Sequence, residues 1–437
     1  MTGFSSWGNY PGVPQQGSFL ANRHAELPRN GKSLLPYGLG RSYGDSCQNA
    51  SGTLLSSKRL DNFIFFDRET GQLSCEAGVT LAEIIDLCLP HGWFLPVTPG
   101  TKYVTVGGAI ANDVHGKNHH GSGSFGNHLS ALELLRSDGQ RIRCSPNENA
   151  EWFRATIGGL GLTGFILRAD LQLKKVESAF IRAESIKYGS LAEFFTLAEA
   201  SEANHEYTVA WIDCLARDKK LGRGHFIRGN HAAAAGNGME LPVAKKKLTF
   251  PIALPFSLVN PLTLTVFNQL YYARQQRRSI SSAVSYDPFF YPLDGILHWN
   301  RMYGRNGFVQ HQCVIPPATA EDAIREILER ISRSGMGSFL VVLKTMGSVE
   351  SRGLLSFPRS GVTLAIDFPM LGSRTLRFLS ALDDVVGSAG GRIYPAKDAR
   401  MSGELFRKSY PAWQEVERLR DPNIQSDFWR RVTGEAR

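Results

Sequence analysis

Residues 99–120 limit what this chain can fold into more than any other stretch. The pair Gly107-Gly108 lies ahead of three imidazoles (His115, His119, His120), an ammonium (Lys117) and two amides (Asn112, Asn118). Paired glycines let a backbone approach a bulky ligand, because no Cβ stands in the way and positive φ is open. A segment that bares its main chain and then crowds polar groups suits ligand binding better than core packing. Two further glycine clusters share this character: residues 38–45, directly after a strand pattern, and residues 158–164, directly before one. Taken singly, each reads as a tight turn. Three of them at strand boundaries point to one large ligand.

A chain of 437 residues exceeds what a single core usually serves, so two domains are expected. Its composition, 42% hydrophobic and 20% charged, is that of a soluble globular protein. The formal net charge of +9 favours anionic partners. No basic helix, zinc ligand set or aromatic RNA-binding signature accompanies that charge, so nucleic acid is not an expected partner. The six cysteines are scattered without a C-x-x-C pair, which fits free thiols in a reducing compartment. Residues 1–10 lack the basic and apolar regions of a signal peptide, and no apolar run is long enough to span a membrane. A cytoplasmic location follows as an expectation. His115, His119 and His120 lack the glutamate of an H-E-x-x-H motif, and no metal site is expected.

Strand patterns at 32–37, 53–57, 131–136, 141–145 and 165–173 alternate with a helix over 80–89. The Thr80/Glu83 pair has the spacing of a capping box. Asp138-Gly139 predicts a hairpin turn between the third and fourth strands. Further on, strands are expected at 207–214, 308–315, 339–344 and 362–368, and helices at 320–333 (with Thr319 as N-cap), 376–386 and 406–413. Between them lies a basic, glycine-rich stretch at 217–238. After it comes Lys245-Lys246-Lys247, followed by an apolar segment over 248–272 that Pro251, Pro255 and Pro261 interrupt. The whole reads as α+β.

The residues also set candidate chemistry. The loop 38–45 offers successive N–H groups that form a nest for an anion. No helical period follows it, which argues against a dinucleotide-binding βαβ unit. Strand alternation puts Gln310 and Gln312 on one face, with spacing alone favouring a solvated sheet surface over a hydroxyl-binding pocket. Lys344 closes an apolar strand, where a lysine usually snorkels to water. The lysine run and proline-broken segment at 245–272 read equally as a membrane-surface contact and as a packed loop.

Several motifs, in order, resemble the vanillyl-alcohol-oxidase type of FAD-binding oxidoreductases. They are Gly40-Arg41-Ser42-Tyr43-Gly44-Asp45, residues 99–120, 123–128 and 158–164, Trp299-Asn300-Arg301-Met302-Tyr303-Gly304, Ser356-Phe357-Pro358 and Ala396-Lys397-Asp398-Ala399-Arg400. The resemblance is to the branch acting on polyprenylphosphoryl ribose. It implies a two-subdomain FAD domain over 1–176, a substrate domain with an antiparallel sheet over 177–391, and a segment 392–437 returning to the FAD domain. It implies FAD contacts from Gly38, Leu39, Gly40, Arg41, Ser42, Tyr43, Gly44 and Asp45. Others come from Pro99, Gly100, Thr101, Thr105, Val106, Gly107, Gly108, Ala109, Ala111, Asn112, His115, Gly116 and Asn118, and from Gly161, Thr163 and Lys397. Related oxidases tether flavin at the position of His115, whereas this branch is expected to hold FAD non-covalently.

The same resemblance implies oxidation of the ribose 2′-hydroxyl to a 2′-keto sugar, the first half of an epimerisation to polyprenylphosphoryl arabinose for cell-envelope glycan synthesis. Lys397 is the favoured base, with Tyr43 and His115 as rivals. Lys117, Trp211, Phe290, Gln310, Gln312 and Lys344 line the substrate site. A separate short-chain reductase is the implied partner; the segment 217–278 matches the family poorly, and a peripheral membrane contact through 245–272 is expected from its own residues. The alternative within the same family is an oxidase of a soluble sugar, alditol or aldonolactone. A flavin-binding scaffold without turnover is the third reading. The chain departs from mycobacterial members at Ala365, where they carry a pocket-facing cysteine.

Overall fold

The computed structural model describes residues 3–29, 31–234, 239–242 and 247–434. Alternating side chains sort its strands into three main sheets. A parallel sheet pairs Gly17–Phe19, Thr53–Ser56 and Leu34–Tyr37, the middle strand buried on both faces. An antiparallel sheet runs Phe63–Phe66, Gln72–Glu76, Phe165–Gln172, Leu129–Leu135 and Arg141–Cys144. The Thr80/Glu83 capping box closes as expected on the helix Leu81–Cys88, whose apolar face packs beneath this second sheet.

The third sheet has eight strands, paired antiparallel throughout. Its order is Ser279–Ser285, Phe180–Tyr188, Gly224–His231, Tyr207–Ile212, Val341–Met346, Gly361–Pro369, Phe308–Ile315 and Arg392–Ile393. The period of two divides its faces. Ile186, Ala210, Phe226, Leu343, Leu364 and Cys313 point to one side. There they form a core with the helices Leu191–Glu202, Pro317–Ser334 and Ser373–Ser388. Residues of the opposite parity face the first two sheets across a cavity.

Several boundaries differ from the sequence reading. The helix expected from 320 starts at Pro317 with Pro316 as N-cap, since proline suits the first turn; the Thr319 hydroxyl instead donates to the Ala389 carbonyl at 2.8 Å. The helix expected over 406–413 is two, Gly403–Ser409 and Trp413–Leu419, because Pro411 forces Tyr410 out of helical geometry. The stretch 217–238 contains the strand Gly224–His231. Residues 235–238, and Lys245 and Lys246, lie outside the described residues.

The chain from Arg392 onward touches both halves. Arg392–Ile393 joins the eight-stranded sheet, and the helix Asp427–Thr433 packs near the glycine loop. Arg431 there donates to both Asp45 oxygens and to Asp398, each at 2.8 Å. The Leu34 N–H donates to the Asn423 carbonyl at 2.7 Å.

Candidate active site

A cavity of about 1130 Å³ separates the smaller sheets from the open face of the eight-stranded sheet. One end is built from loops. Gly40 holds a φ of +63° and turns the chain so that Leu39, Gly40, Arg41 and Ser42 present N–H groups with no acceptor among the described residues. Gly100 and Thr101, across the cavity, do the same. Unpaired backbone donors at an internal wall call for an acceptor. Thr105 caps the helix Val106–Ala111 by accepting from the Gly108 N–H at 3.1 Å, and Gly107 and Gly108 keep that helix's cavity side bare. Five cationic side chains line the cavity (Arg41, Lys117, Arg274, Lys344, Lys397) against one carboxylate, Asp294.

The other end carries a cluster of buried titratable groups. Lys397, on the turn Pro395–Lys397, lies 3.7 Å above the Tyr43 ring and has no hydrogen-bond acceptor among the described residues. Burial pulls its pKa below the ordinary lysine range, against the attraction of nearby Asp367. Asp367 accepts from Gln310 Nε2 at 2.6 Å, and burial raises its carboxyl above the ordinary range. Gln312 Nε2 donates to His115 Nε2 at 3.0 Å. His115 packs beside the stacked rings of Phe357 and Tyr394, and burial, then Lys344, holds it well below its ordinary pKa. Lys344 donates to the Gly116 carbonyl and Lys117 to the Phe290 carbonyl at 3.1 Å. Burial lowers them to about 7 and about 8 respectively. Tyr43 has a hydroxyl pushed well above 10.0, chiefly by burial.

Comparison with known proteins fits this layout. Residues 18–145 match the FAD binding domain family. The decaprenylphosphoryl-β-D-ribose oxidase of Mycolicibacterium smegmatis is 39% identical over 415 residues, covering 92% of this chain and 89% of that protein. The chain belongs to the decaprenylphosphoryl-β-D-ribose oxidase family. An uncharacterised Streptomyces coelicolor protein, from the mprA 5′ region, is 34% identical over 81% of this chain and 100% of its own length. Mouse L-gulonolactone oxidase matches at 31% over 32% of each chain.

For a member of the decaprenylphosphoryl-β-D-ribose oxidase family the loop end is the place for FAD, and the residues present fit it. Unpaired N–H groups and Arg41 suit a pyrophosphate, and the glycines leave room for it. Most of the residues named above for FAD line the cavity. Gly44, Asp45, Val106, Ala109, Asn118 and Thr163 do not, each for a local reason. Asp45 is paired with Arg431, and a Cβ on Gly44 would run into the Asp398 carbonyl. Val106 and Ala109 are fully buried on the inner face of their helix. The Asn118 amide donates to the Pro96 carbonyl at 2.8 Å, and Thr163 bonds Thr156 at 2.9 Å. These six support the wall from behind.

All the residues expected around the substrate do line the cavity, including Trp211 and Phe290. Two readings from spacing alone are overturned. Gln310 and Gln312 do not form a solvated surface, since the sheet face they occupy is covered by the FAD half. Lys344 does not snorkel; it sits inside the strand Val341–Met346 and is 5% exposed. Asp367 escaped notice, although it lies on the same face as Thr363 and Ala365, and strand alternation from Ala365 leads to it.

Proposed function

We propose that this chain oxidises the ribose 2′-hydroxyl of a polyprenylphosphoryl-β-D-ribose to the 2′-keto sugar. The observation that carries the proposal is Lys397: a cation without an acceptor, facing the cavity, its charge disfavoured by burial. FAD, when bound, supplies the acceptor for the hydride lost from the sugar carbon. Neutral Lys397 takes the hydroxyl proton. Tyr43 is less suited as base because burial keeps its proton on. His115 is less suited because Gln312 occupies its Nε2. Asp367, oriented by Gln310, attracts the Lys397 ammonium through space, and Lys117 and Lys344 offer charge to the substrate's phosphate.

A ketone leaving this site must meet a separate hydride donor, and a short-chain reductase is the partner this reading requires. Leu248, Ile252, Phe256, Leu262 and Leu270 are widely exposed, and Lys247 donates to the hydroxyl of Tyr103 in the cavity wall. They support peripheral contact with a membrane, the source of a polyprenyl substrate. Among the described residues no helix is long and apolar enough to cross a membrane.

Anaerobic mixing of the FAD-loaded protein with candidate sugars tests the proposal. Polyprenylphosphoryl ribose is expected to bleach the flavin, and free pentoses, alditols and aldonolactones to leave it coloured. Bleaching by the soluble sugars alone would transfer the chain to the second reading. No bleaching by any of them would leave a scaffold.

A further inference from the structure

The reacting groups occupy only part of the cavity. Its floor continues beyond Lys344 over four more strands to the edge strand Ser279–Ser285, four inter-strand steps that make roughly 19 Å. Val209, Ile227, Ser185 and Ile280 stand in register along this path. Among the cavity-lining residues of these four strands none is charged. The neighbours of opposite parity, Ala210, Phe226 and Ile186, are packed under helices. Val209 and Ile227 are only half-buried and Ile280 is 43% exposed. Apolar side chains in the middle strands of a large sheet are normally covered on both faces or exchanged for polar ones. Here one face is left open, between a wall at Tyr271, 4.5 Å from Trp211, and a wall at Phe289.

We infer that this open face is a lipid trough holding the prenyl units next to the substrate's phosphate. The inference rests on the proposed substrate and adds where its chain lies. The phosphate sits by Lys117 and Lys344, the sugar reaches Lys397, and the chain runs over Val209 and Ile227 and leaves past the Ser279–Ser285 edge. Lys117, Lys344 and Lys397 surround the reaction end, the apolar Val209 and Ile227 follow outward, and Arg274 is the cation on the Tyr271 wall beside them.

Calorimetric titration of the FAD-loaded protein with farnesyl phosphate and with methyl phosphate tests the trough without turnover. Farnesyl phosphate is expected to bind at least tenfold more tightly, with a negative heat-capacity change that methyl phosphate lacks. Ile227→Asp places a charge on the floor. Ser282→Trp fills the floor from an exposed edge position where the fold is not at stake. Each is expected to remove most of the farnesyl advantage and to leave methyl phosphate affinity unchanged. Equal affinity for the two phosphates, or farnesyl binding unaltered in both variants, would overturn the trough. Farnesylphosphoryl ribose that fails to bleach the flavin, while farnesyl phosphate binding follows the expected pattern, would sink the oxidation reading and leave the trough standing.

Discussion

At the scale of single residues, the proposed base is a lysine whose surroundings disfavour its charge. Burial lowers the Lys397 pKa, so the neutral form is reached below the ordinary lysine range of about 10.4. Flavin reduction at subsaturating substrate is therefore expected to rise with pH and level off below that value. Lys397→Met should bind FAD, flatten the profile and lose about 10²-fold or more in rate. Lys397→Arg, which keeps the charge but cannot release its proton, should be equally slow. A slow rate in Met but not in Arg would make the role electrostatic. Ala365 gives a second expectation. It faces the cavity, opposite Gln312 and Val342 in the sheet, and carries no thiol. The thiol in the cavity wall, Cys47, is kept protonated by burial, which pushes it up to about 12. Intact-mass measurement after treatment with a thiol-directed electrophile should show labelling in Ala365→Cys and none at this position in the native chain. The motif residues were legible in the sequence because glycine, lysine and histidine clusters are local. Asp367 was not, because only the sheet register brings it to Gln310 and Lys397.

At the scale of elements, the segment around the helix His119–Ser122 sets a pH limit on stability. His115 is held well below 6.5 and His119 is lowered to about 3, both chiefly by burial, and His231 on the neighbouring sheet is lowered to about 4. All three have folded pKa values below their unfolded ones. Their stabilising contribution is complete above pH 6.5 and is lost as pH falls, because the unfolded chain takes up protons the folded chain refuses. Asp367, raised by burial, runs the opposite way by one proton. The three histidines outweigh it, so stability falls as pH drops below 6.5. Thermal melts from pH 7 to 5 should fall accordingly, and His119→Gln should flatten the slope. Helix starts and strand runs were readable where local chemistry decides them, as at Thr80/Glu83 and 308–315. The two errors, at Pro316 and Pro411, come from letting apolar periodicity outweigh proline. The solvated reading of Gln310 and Gln312 failed for another reason: alternation tells which residues share a face, and only the tertiary packing tells what covers it.

At the scale of the whole molecule, the C-terminal helix ties the glycine loop to the rest. Arg431 is largely buried and pairs with Asp45 and Asp398 together. Removing it leaves the buried Asp45 carboxylate without its cation and Asp398 with only the Arg400 and Met401 N–H groups, a loss of about 3–5 kcal/mol. Arg431→Ala should melt earlier and release FAD more readily, as followed by flavin fluorescence on dilution. Vesicles containing anionic lipid should carry the native protein upward in a density gradient. Neutralising Lys245, Lys246 and Lys247 together with Leu262→Asp and Leu270→Asp should leave it at the bottom, and unaltered flotation would dismiss the membrane contact. The eight-stranded sheet has one last implication. Neighbouring positions along each of its strands answer to separate demands: one residue keeps the protein folded, and the next decides what the protein accepts. Substitutions at Val209, Ile227 or Ser282 can therefore retune ligand preference while Ala210, Phe226 and Ile186 keep the scaffold unchanged, which makes a fold of this kind easy to diversify.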